Sequence, residues 1–199
     1  MYTRLLTFTG ATDIDGGVTY LREEAMPVLT TQHGYRGVSA SADRAGSVFS
    51  ILSLWDTEAD RSASNSALGK ARHEALEVVG GEMTLETYEQ VAQAISRPPV
   101  PGCALLVTRV GMDPSSVDNN ITFFKEQVSA QIQAQPGFCA LRNMIDRATG
   151  QGLVGTVWED AEALNAFAAG TEERRAPGIA RGITFGETSI REILLSEVV

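Results

Sequence analysis

The chain repeats itself at a fixed offset, and this repeat limits its possible folds more than any other feature of the sequence. Three dipeptides recur in similar form 103 positions apart: Gly34-Tyr35 as Gly137-Phe138, Asp43-Arg44 as Asp146-Arg147, and Trp55-Asp56 as Trp158-Glu159. Arg72 and Arg175 keep the same offset. Several matches at one offset, which include uncommon residue types such as tryptophan, indicate two copies of one structural unit.

A proline-rich segment, residues 97–102, separates the two copies. Its prolines fix the φ angle and lack an N–H donor, so the segment is neither a helix interior nor a central strand. The 199 residues give each copy about the length of a small domain. We therefore predict a first unit at residues 1–96, an extended linker at 97–102 and a second unit at 103–199.

Each copy shows the same predicted order of elements, β-α-β-β-α-β, which is the ferredoxin-like topology. The predicted segments are strands at 4–8, 35–42, 48–55 and 84–91 with a helix at 17–31, then strands at 104–108, 138–145, 153–158 and 189–195 with a helix at 115–133. Acidic residues after each tryptophan suit the start of a second helical region. Pro27 predicts a kink or break in the first helix.

The strand at 48–55 has large apolar residues on both of its faces: Val48, Phe49, Ile51, Leu52, Leu54 and Trp55. An antiparallel strand with one face in water would instead alternate between apolar and polar residues. We therefore expect the sheet of each copy to be covered by its own helices and by the sheet of the other copy. The predicted fold class is α+β: two ferredoxin-like units whose antiparallel sheets face each other in an intrachain α+β barrel.

Composition and charge argue against several classes of function. The net charge of −9 repels phosphate backbones, so a nucleic-acid partner is disfavoured. No apolar run approaches the roughly 20 residues that span a bilayer, and the N-terminus lacks a signal-peptide pattern, so we expect a cytoplasmic protein that does not cross a membrane. Cys103 and Cys139 lie among apolar neighbours, which predicts buried, reduced thiols.

Common cofactor motifs are also missing from the sequence. It contains no Gly-rich dinucleotide fingerprint and no P-loop, so a nucleotide cofactor is unsupported. Two histidines and no Cys-x-x-Cys argue against a structural zinc site. We therefore predict a protein that works without a bound cofactor or metal.

With these elements and motifs, the chain resembles the antibiotic biosynthesis monooxygenase family. The residues that carry the resemblance are Pro136-Gly137-Phe138, Asp146-Arg147 and Val157-Trp158-Glu159, with weaker counterparts at His33-Gly34-Tyr35 and Leu54-Trp55-Asp56. The resemblance covers nearly the whole chain, once per half. It implies a barrel that most members build from two chains. Here one chain would supply both halves as an internal pseudo-dimer, and a further homodimer is left open.

The resemblance also implies a range of activities. Some members oxidise aromatic phenols with O2 and no cofactor, one branch binds and degrades haem, and many have no assigned activity. In each, the ligand pocket lies between a unit's own sheet and its helices. Fold alone does not decide among these activities.

His73 is the residue on which a haem function would depend. It lies 18 positions after Trp55 (55 to 73), which is similar to the place of the iron-ligating histidine in the haem-degrading branch. Imidazole is a common proximal ligand of haem iron. However, Ser64 stands where that branch has a second tryptophan, and Ala176 aligns with His73 in the second copy. A surface histidine is the simpler interpretation.

Oxygenation without a cofactor needs a base for the phenol and polar groups that hold the resulting anion. The predicted catalytic residues are His73, Asn65 and Arg72, and the predicted substrate-binding residues are Trp55, Ser64, Tyr88, Trp158, Phe167 and Arg175. Further polar candidates are Arg36, Arg142, Asn143 and Asn165. Because most of these residues do not recur in the second copy, the first copy is the expected location of a site.

Three functions remain open from the sequence. The first is a cofactor-independent monooxygenase that acts on an aromatic or quinone-like small molecule. The second is a haem-binding or haem-degrading protein that uses His73. The third is a barrel that binds a small aromatic ligand without turning it over.

Overall fold

The computed structural model describes residues 1–198 of the chain. These residues form two compact units: unit 1 comprises Met1–Thr87 and the chain from Ile193 onward, and unit 2 comprises Tyr88–Glu192. The boundaries differ from those of the repeat because the last strand of each copy is divided between the units.

Unit 1 follows the predicted order of elements. Its strands are β1 (Tyr2–Thr9), β2 (Tyr35–Asp43), β3 (Val48–Trp55) and the first part of β4 (Glu82–Ile95), and its helices are α1 (Ile14–Tyr20), α2 (Met26–Thr30), α3 (Glu58–Ala67) and α4 (Gly69–Val79). A π-helical segment, Leu21–Ala25, connects α1 to α2. The hairpin of β2 and β3 forms where the Asp-Arg-Ala-Gly turn predicts it.

Unit 2 repeats this order. Its strands are β5 (Ala104–Gly111), β6 (Phe138–Ile145), β7 (Gln151–Trp158) and the first part of β8 (Thr184–Val198), and its helices are α5 (Val117–Phe123), α6 (Ser129–Gln133), α7 (Ala161–Ala169) and α8 (Thr171–Ile179). A 3-10 turn, Pro114–Ser116, precedes α5, and a second π-helical segment, Phe124–Val128, lies between α5 and α6.

All of the strand pairs are antiparallel, and the register is the same in both units. In unit 1, β1 pairs with β3 so that Tyr2 faces Trp55, and in unit 2, β5 pairs with β7 so that Ala104 faces Trp158. The hydrogen-bonded strand order is β1-β3-β2-β8-β5-β7-β6-β4, and the sheet closes into a barrel. The predicted α+β class and antiparallel barrel are confirmed.

The residues that recur in the sequence hold the same local structure in each unit. Gly34 and Gly137 have φ angles of 72° and 75°, a region that favours glycine. The carbonyl of each glycine accepts a hydrogen bond of 2.8 Å from the amide of the acidic residue after the tryptophan, Asp56 in unit 1 and Glu159 in unit 2. The repeated motif is therefore a structural joint between two strands.

Short polar side chains begin the helices that follow each hairpin. The Thr57 hydroxyl accepts from the Asp60 amide (3.1 Å) at the start of α3, and the Asp160 carboxylate accepts from the Ala163 amide (2.8 Å) at the start of α7. Such caps satisfy amides that have no partner inside the helix. The prediction that helices start after each tryptophan is confirmed.

The first helical region of each copy is irregular, but proline is not the cause. Pro27 lies in the first turn of α2, where a helix tolerates proline, so the predicted break at this residue does not occur. The irregularity is instead the π-helical segment that precedes α2. Unit 2 has the same five-residue segment without any proline.

The two tryptophans are fully buried in the cores of their own units. The Trp55 Nε1 group donates to the Ser53 hydroxyl and the Trp158 Nε1 group to the Thr156 hydroxyl, both at 3.0 Å. Each indole therefore buries its apolar surface without leaving its N–H unsatisfied.

Both cysteines are buried and free, as predicted. Burial, and then the neighbouring Cys103, raise the pKa of the Cys139 thiol. Within residues 1–198 we find no helix with the length and apolarity that a membrane crossing requires.

Candidate functional site

Unit 2 contains a cavity of about 120 Å³ between its sheet and its helices. The sheet side comes from β5, β6 and β7, and the opposite side from the π-helical segment, α6, α7 and α8. The wall is mostly apolar, with Leu106, Phe124, Ile132, Val154 and Phe167 among its members. This is the location that the family resemblance implies for a ligand pocket.

A few polar groups face this apolar cavity. Asn143 is 4% exposed, and its Oδ1 atom has no hydrogen-bond partner among residues 1–198. Arg175 enters from α8, donates to the Thr188 hydroxyl at 3.0 Å and lies 4.9 Å above the Phe185 ring. Burial lowers the pKa of Arg175. The lining thus includes an unpaired acceptor on Asn143 and the cation of Arg175.

Phe167 forms the wall nearest to the core tryptophan. Its ring stacks on Trp158 with centroids 4.4 Å apart and an angle of 28° between the planes. The Arg174 guanidinium lies 4.0 Å above the other side of the Phe167 ring and donates to the Phe167 carbonyl. Phe167 is therefore held between a buried indole and a cation.

The cavity of unit 2 lacks a side chain that would act as a base at neutral pH. Of the residues that line it within the described chain, the titratable ones are Arg174 and Arg175. Arginine stays protonated and does not accept a proton. The chemistry of the cavity is thus the binding of a ring and the stabilisation of negative charge.

Unit 1 has a smaller cavity, about 40 Å³, in the corresponding place. Its wall includes Arg4, Arg72 and Tyr20 as well as aliphatic residues. Arg4 faces Ser53 across the strand pair, while Leu106 faces Thr156 at the same register of unit 2. The cavity of unit 1 is the smaller of the two, because a long arginine side chain occupies space that leucine leaves free.

His73 lies outside the cavity of unit 1. Its side chain is 74% exposed on α4, and its Nε2 atom is 3.6 Å from the Glu77 carboxylate. Residues 69–79 form a helix, and its buried side is marked by Ala75 and Val79. His73 therefore points away from the space that a substrate would occupy.

Haem does not fit the residues that are present. An exposed His73 does not face a pocket, and a cavity of about 40 Å³ is far too small for a porphyrin. His33 is also exposed and is paired with Asp60 at 2.7 Å. Within residues 1–198 no group of three or more His, Cys, Asp or Glu side chains is placed to hold a metal ion.

Three predicted residues of unit 1 meet at Arg4. The Arg4 guanidinium donates to the Ser64 hydroxyl at 3.1 Å and to the Asn65 side-chain oxygen at 2.8 Å. Arg72 lines the same cavity and donates to the Asn65 carbonyl at 3.0 Å. The sequence predicts Ser64, Asn65 and Arg72 as site residues but not Arg4, although a charged residue among the apolar residues of β1 is a visible signal.

The remaining predicted residues divide between the cavity of unit 2 and other locations. Phe167, Arg175 and Asn143 line the cavity. Trp55, Trp158 and Tyr88 are buried side chains that line neither cavity. The indoles pack on core residues, with Tyr35 beside Trp55 and with Phe138 and Phe167 beside Trp158, and not on a ligand space.

The other polar candidates also lie apart from both cavities. Arg36 is exposed, and its guanidinium donates to both oxygens of the Asp56 carboxylate, at 2.6 and 2.7 Å. Arg142 donates to the side chains of Gln90 and Gln93, and burial lowers its pKa to about 10. Asn165 is exposed on α7.

Comparison with known sequences gives distant relatives of unknown activity. No family model matches the chain. An uncharacterised protein of Mycobacterium tuberculosis is 27% identical over 165 residues, which cover 82% of this chain and 74% of that protein. Likeness at this level does not assign a family.

Comparison with solved structures supports the fold over nearly the full length. A candidate monooxygenase from Fusobacterium nucleatum superposes with a TM-score of 0.72 at 10% identity, covering 99% of this chain and 94% of that one. An anthrone oxidase-like protein gives 0.70 at 15% identity, covering 99% and 92%. A ferredoxin-fold protein from Listeria monocytogenes, related to antibiotic biosynthesis monooxygenases, gives 0.53 at 12% identity, covering 96% and 93%. The predicted resemblance is confirmed at the level of fold.

Proposed function

We propose that unit 2 binds a small phenolic ring and oxidises it with O2 without a cofactor. The observation that carries this proposal is the apolar cavity in which the unpaired Asn143 oxygen and the Arg175 guanidinium stand among aliphatic and aromatic side chains. Ligand sites of this kind combine an apolar wall with few polar groups that fix orientation. The fold shared with monooxygenase-like proteins supports oxygenation as the reaction class.

The volume of the cavity sets the size of the ligand. Apolar cavities of about 150 Å³ are known to hold a benzene ring. The cavity of unit 2, about 120 Å³, is slightly smaller. A single ring therefore fits with small adjustments of the wall, whereas fused rings require Phe167 or a helix to move.

The polar groups suit a phenol that ionises in place. Its O–H would donate to Asn143 Oδ1, and the Arg175 guanidinium would stabilise the phenolate. The phenolic proton goes to water, because no lining residue accepts it. The ring carbon opposite the phenolate then bonds to O2, and the resulting hydroperoxide loses water to leave a quinone. One phenol and one O2 give one quinone and one water.

A second candidate is binding without turnover. It is favoured by the composition of the lining, in which arginines are the titratable residues within the described chain. Without a base in the lining, turnover would require the cavity to lower the pKa of the phenol until enough phenolate forms to react with O2.

The test measures binding and turnover separately. Calorimetric titration with phenol and o-cresol, both of which keep a hydrogen on the ring carbon opposite the hydroxyl, gives affinity, and O2 uptake together with quinone absorbance gives turnover. Val154→Phe fills the cavity from β7, and Arg175→Met removes the charge while keeping length. Arg22→Met, which changes an exposed arginine of unit 1, is the matched control.

We expect Val154→Phe to abolish binding, and Arg175→Met to reduce turnover more than binding, because the charge matters most for the anion. Turnover should rise with pH as the phenol itself ionises. Binding without O2 uptake would establish the second candidate. If wild type and Val154→Phe bind phenols equally, neither function belongs to this cavity.

A further inference from the structure

Arg4 in unit 1 is a buried cation whose hydrogen-bonding capacity is only partly used. The residue is 3% exposed. One terminal nitrogen, Nη2, donates to the Arg61 carbonyl, the Ser64 hydroxyl and the Asn65 side chain. The Nε and Nη1 groups are buried and have no hydrogen-bond partner among residues 1–198. A buried N–H without a partner typically costs about 1–3 kcal/mol, so two on one guanidinium call for an explanation.

Arg72 brings a second guanidinium to the same cavity. It lines the cavity together with Arg4, and its Nη1 group is buried without a partner among residues 1–198. Asn65 links the two side chains, since its side-chain oxygen accepts from Arg4 and its carbonyl accepts from Arg72. Two arginines with unpaired N–H groups therefore border one small space.

Within the part of the chain that the structure describes, no acidic side chain pairs with these two arginines. Glu58 is paired with Arg61 at 3.1 Å, and Glu74 is bound to the Tyr20 hydroxyl at 2.8 Å and to Lys70 at 3.1 Å. Over residues 1–198, neither Arg4 nor Arg72 forms an ion pair with a carboxylate.

The electrostatics follow from this lack of an acid. Burial, and then repulsion from Arg72 and Arg61, lower the pKa of Arg4 to about 10. Burial also lowers the pKa of Arg72. Both arginines remain cations at neutral pH, and two like charges at one buried place favour an anion between them.

We propose that the cavity of unit 1 binds the carboxylate of a short aliphatic acid between Arg4 and Arg72. The planar forks of two guanidiniums match the geometry of a carboxylate. Apart from Tyr20 and Ser53 the rest of the wall is aliphatic, with Leu6, Leu21 and Leu29 among its members, and it suits an apolar tail. The volume of about 40 Å³ restricts that tail to very few carbons.

The site is particular to unit 1. The strand position of Arg4 is held by Leu106 in unit 2, and the helix position of Ser64 is held by Phe167. Both replacements exchange a polar group for an apolar one, and both residues line the phenol cavity. The carboxylate site and the phenol site are therefore alternative uses of one scaffold, and either can exist without the other.

The experiment titrates the whole chain with acetate and propionate enriched in ¹³C, at constant pH and ionic strength. Ligand-detected NMR reports binding even when it is weak. Four variants are compared with wild type: Arg4→Met, Arg72→Met, the exposed-arginine control Arg22→Met, and Val154→Phe, which fills the cavity of unit 2. Near-ultraviolet circular dichroism establishes that each variant is folded.

We expect saturable binding of acetate to wild type, to Arg22→Met and to Val154→Phe. Removing one charged hydrogen-bonding partner, worth about 1.5–3 kcal/mol, should weaken binding at least tenfold. If Arg4→Met does not fold, Arg72→Met alone decides, since Arg72 is only half-buried. Chloride and sulfate should compete poorly, because they lack the planar shape and the tail.

Three results would overturn the proposal. The first is the absence of saturable acetate binding to folded wild type, which would make Arg4 a structural residue only. The second is equal binding by wild type and Arg72→Met. The third is loss of binding in Val154→Phe, which would place the acid in unit 2. None of these results depends on whether unit 2 oxidises phenols.

Discussion

Phe167 gives the sharpest test of the cavity in unit 2, because its side chain both lines the cavity and packs on Trp158. Phe167→Ala removes the ring while leaving the Arg174 hydrogen bond to the backbone carbonyl available. The variant therefore reports on the contacts of the ring: the indole stack at 4.4 Å and the guanidinium at 4.0 Å.

The expected loss of stability follows from these contacts. Truncation of a fully buried phenylalanine costs about 3–5 kcal/mol, and this half-buried ring should cost roughly half as much. The aromatic pair adds about 0.5–1.5 kcal/mol and the cation–π contact about 0.5–1 kcal/mol. We expect the free energy of unfolding to fall by about 3 kcal/mol.

Urea denaturation followed by tryptophan fluorescence measures this loss. Phe167→Leu is the matched control, because it keeps most of the volume but lacks a ring, and it should lose only about 1 kcal/mol. The larger cavity of Phe167→Ala should also admit 2-naphthol, which wild type excludes. A loss below about 0.5 kcal/mol, with no change in the size of the bound phenol, would refute this account of the wall.

Two further predictions concern the repeated glycine and an exposed ion pair. Gly137→Ala should lose about 2 kcal/mol or more of stability in urea denaturation, because φ is 75° and the new Cβ would lie 2.4 Å from that of Ala163. The control Gly69→Ala should cost nothing, because its new Cβ would have nothing within 4 Å. Arg36 lowers the pKa of the Asp56 carboxyl, so the pair stabilises the fold above the unfolded pKa of aspartate and loses this effect as pH falls through the folded value. Arg36→Gln should raise the pKa of Asp56 in an NMR titration, and an unchanged pKa would contradict the assignment.

The fold was predictable from the sequence because the repeat marks residues with a backbone role. Gly34 and Gly137 need positive φ, and the tryptophans end a strand at a fixed register, so these features show in the order of residue types. The length of the last strands was less predictable. The sequence indicates strands at 84–91 and 189–195, whereas β4 and β8 are nearly twice as long because further partners extend them.

The candidate sites were harder to predict, because a pocket depends on which residues are small or absent. Phe167 and Arg175 were identified, and both line the cavity of unit 2. The spacing of His73 from Trp55 predicts a site residue, but helix periodicity alone does not show that His73 lies on the exposed side of its helix. Arg4 reduces the volume of the cavity in unit 1 because its side chain lies on the cavity side of β1. The strand register, which the sequence does not show, decides that side.

The π-helical segments lie at matching positions in the two copies. A segment of this kind contains one residue more than a regular helix of the same span. Leu21–Ala25 and Phe124–Val128 are both five residues long, whereas Pro27 occurs only in the first copy. Deletion of one residue from either segment would restore a regular helix and turn α2 or α6 by about 100° about its axis. Such a rotation would move Leu29 or Ile132 out of the core, so the extra residue sets which face of the helix is buried.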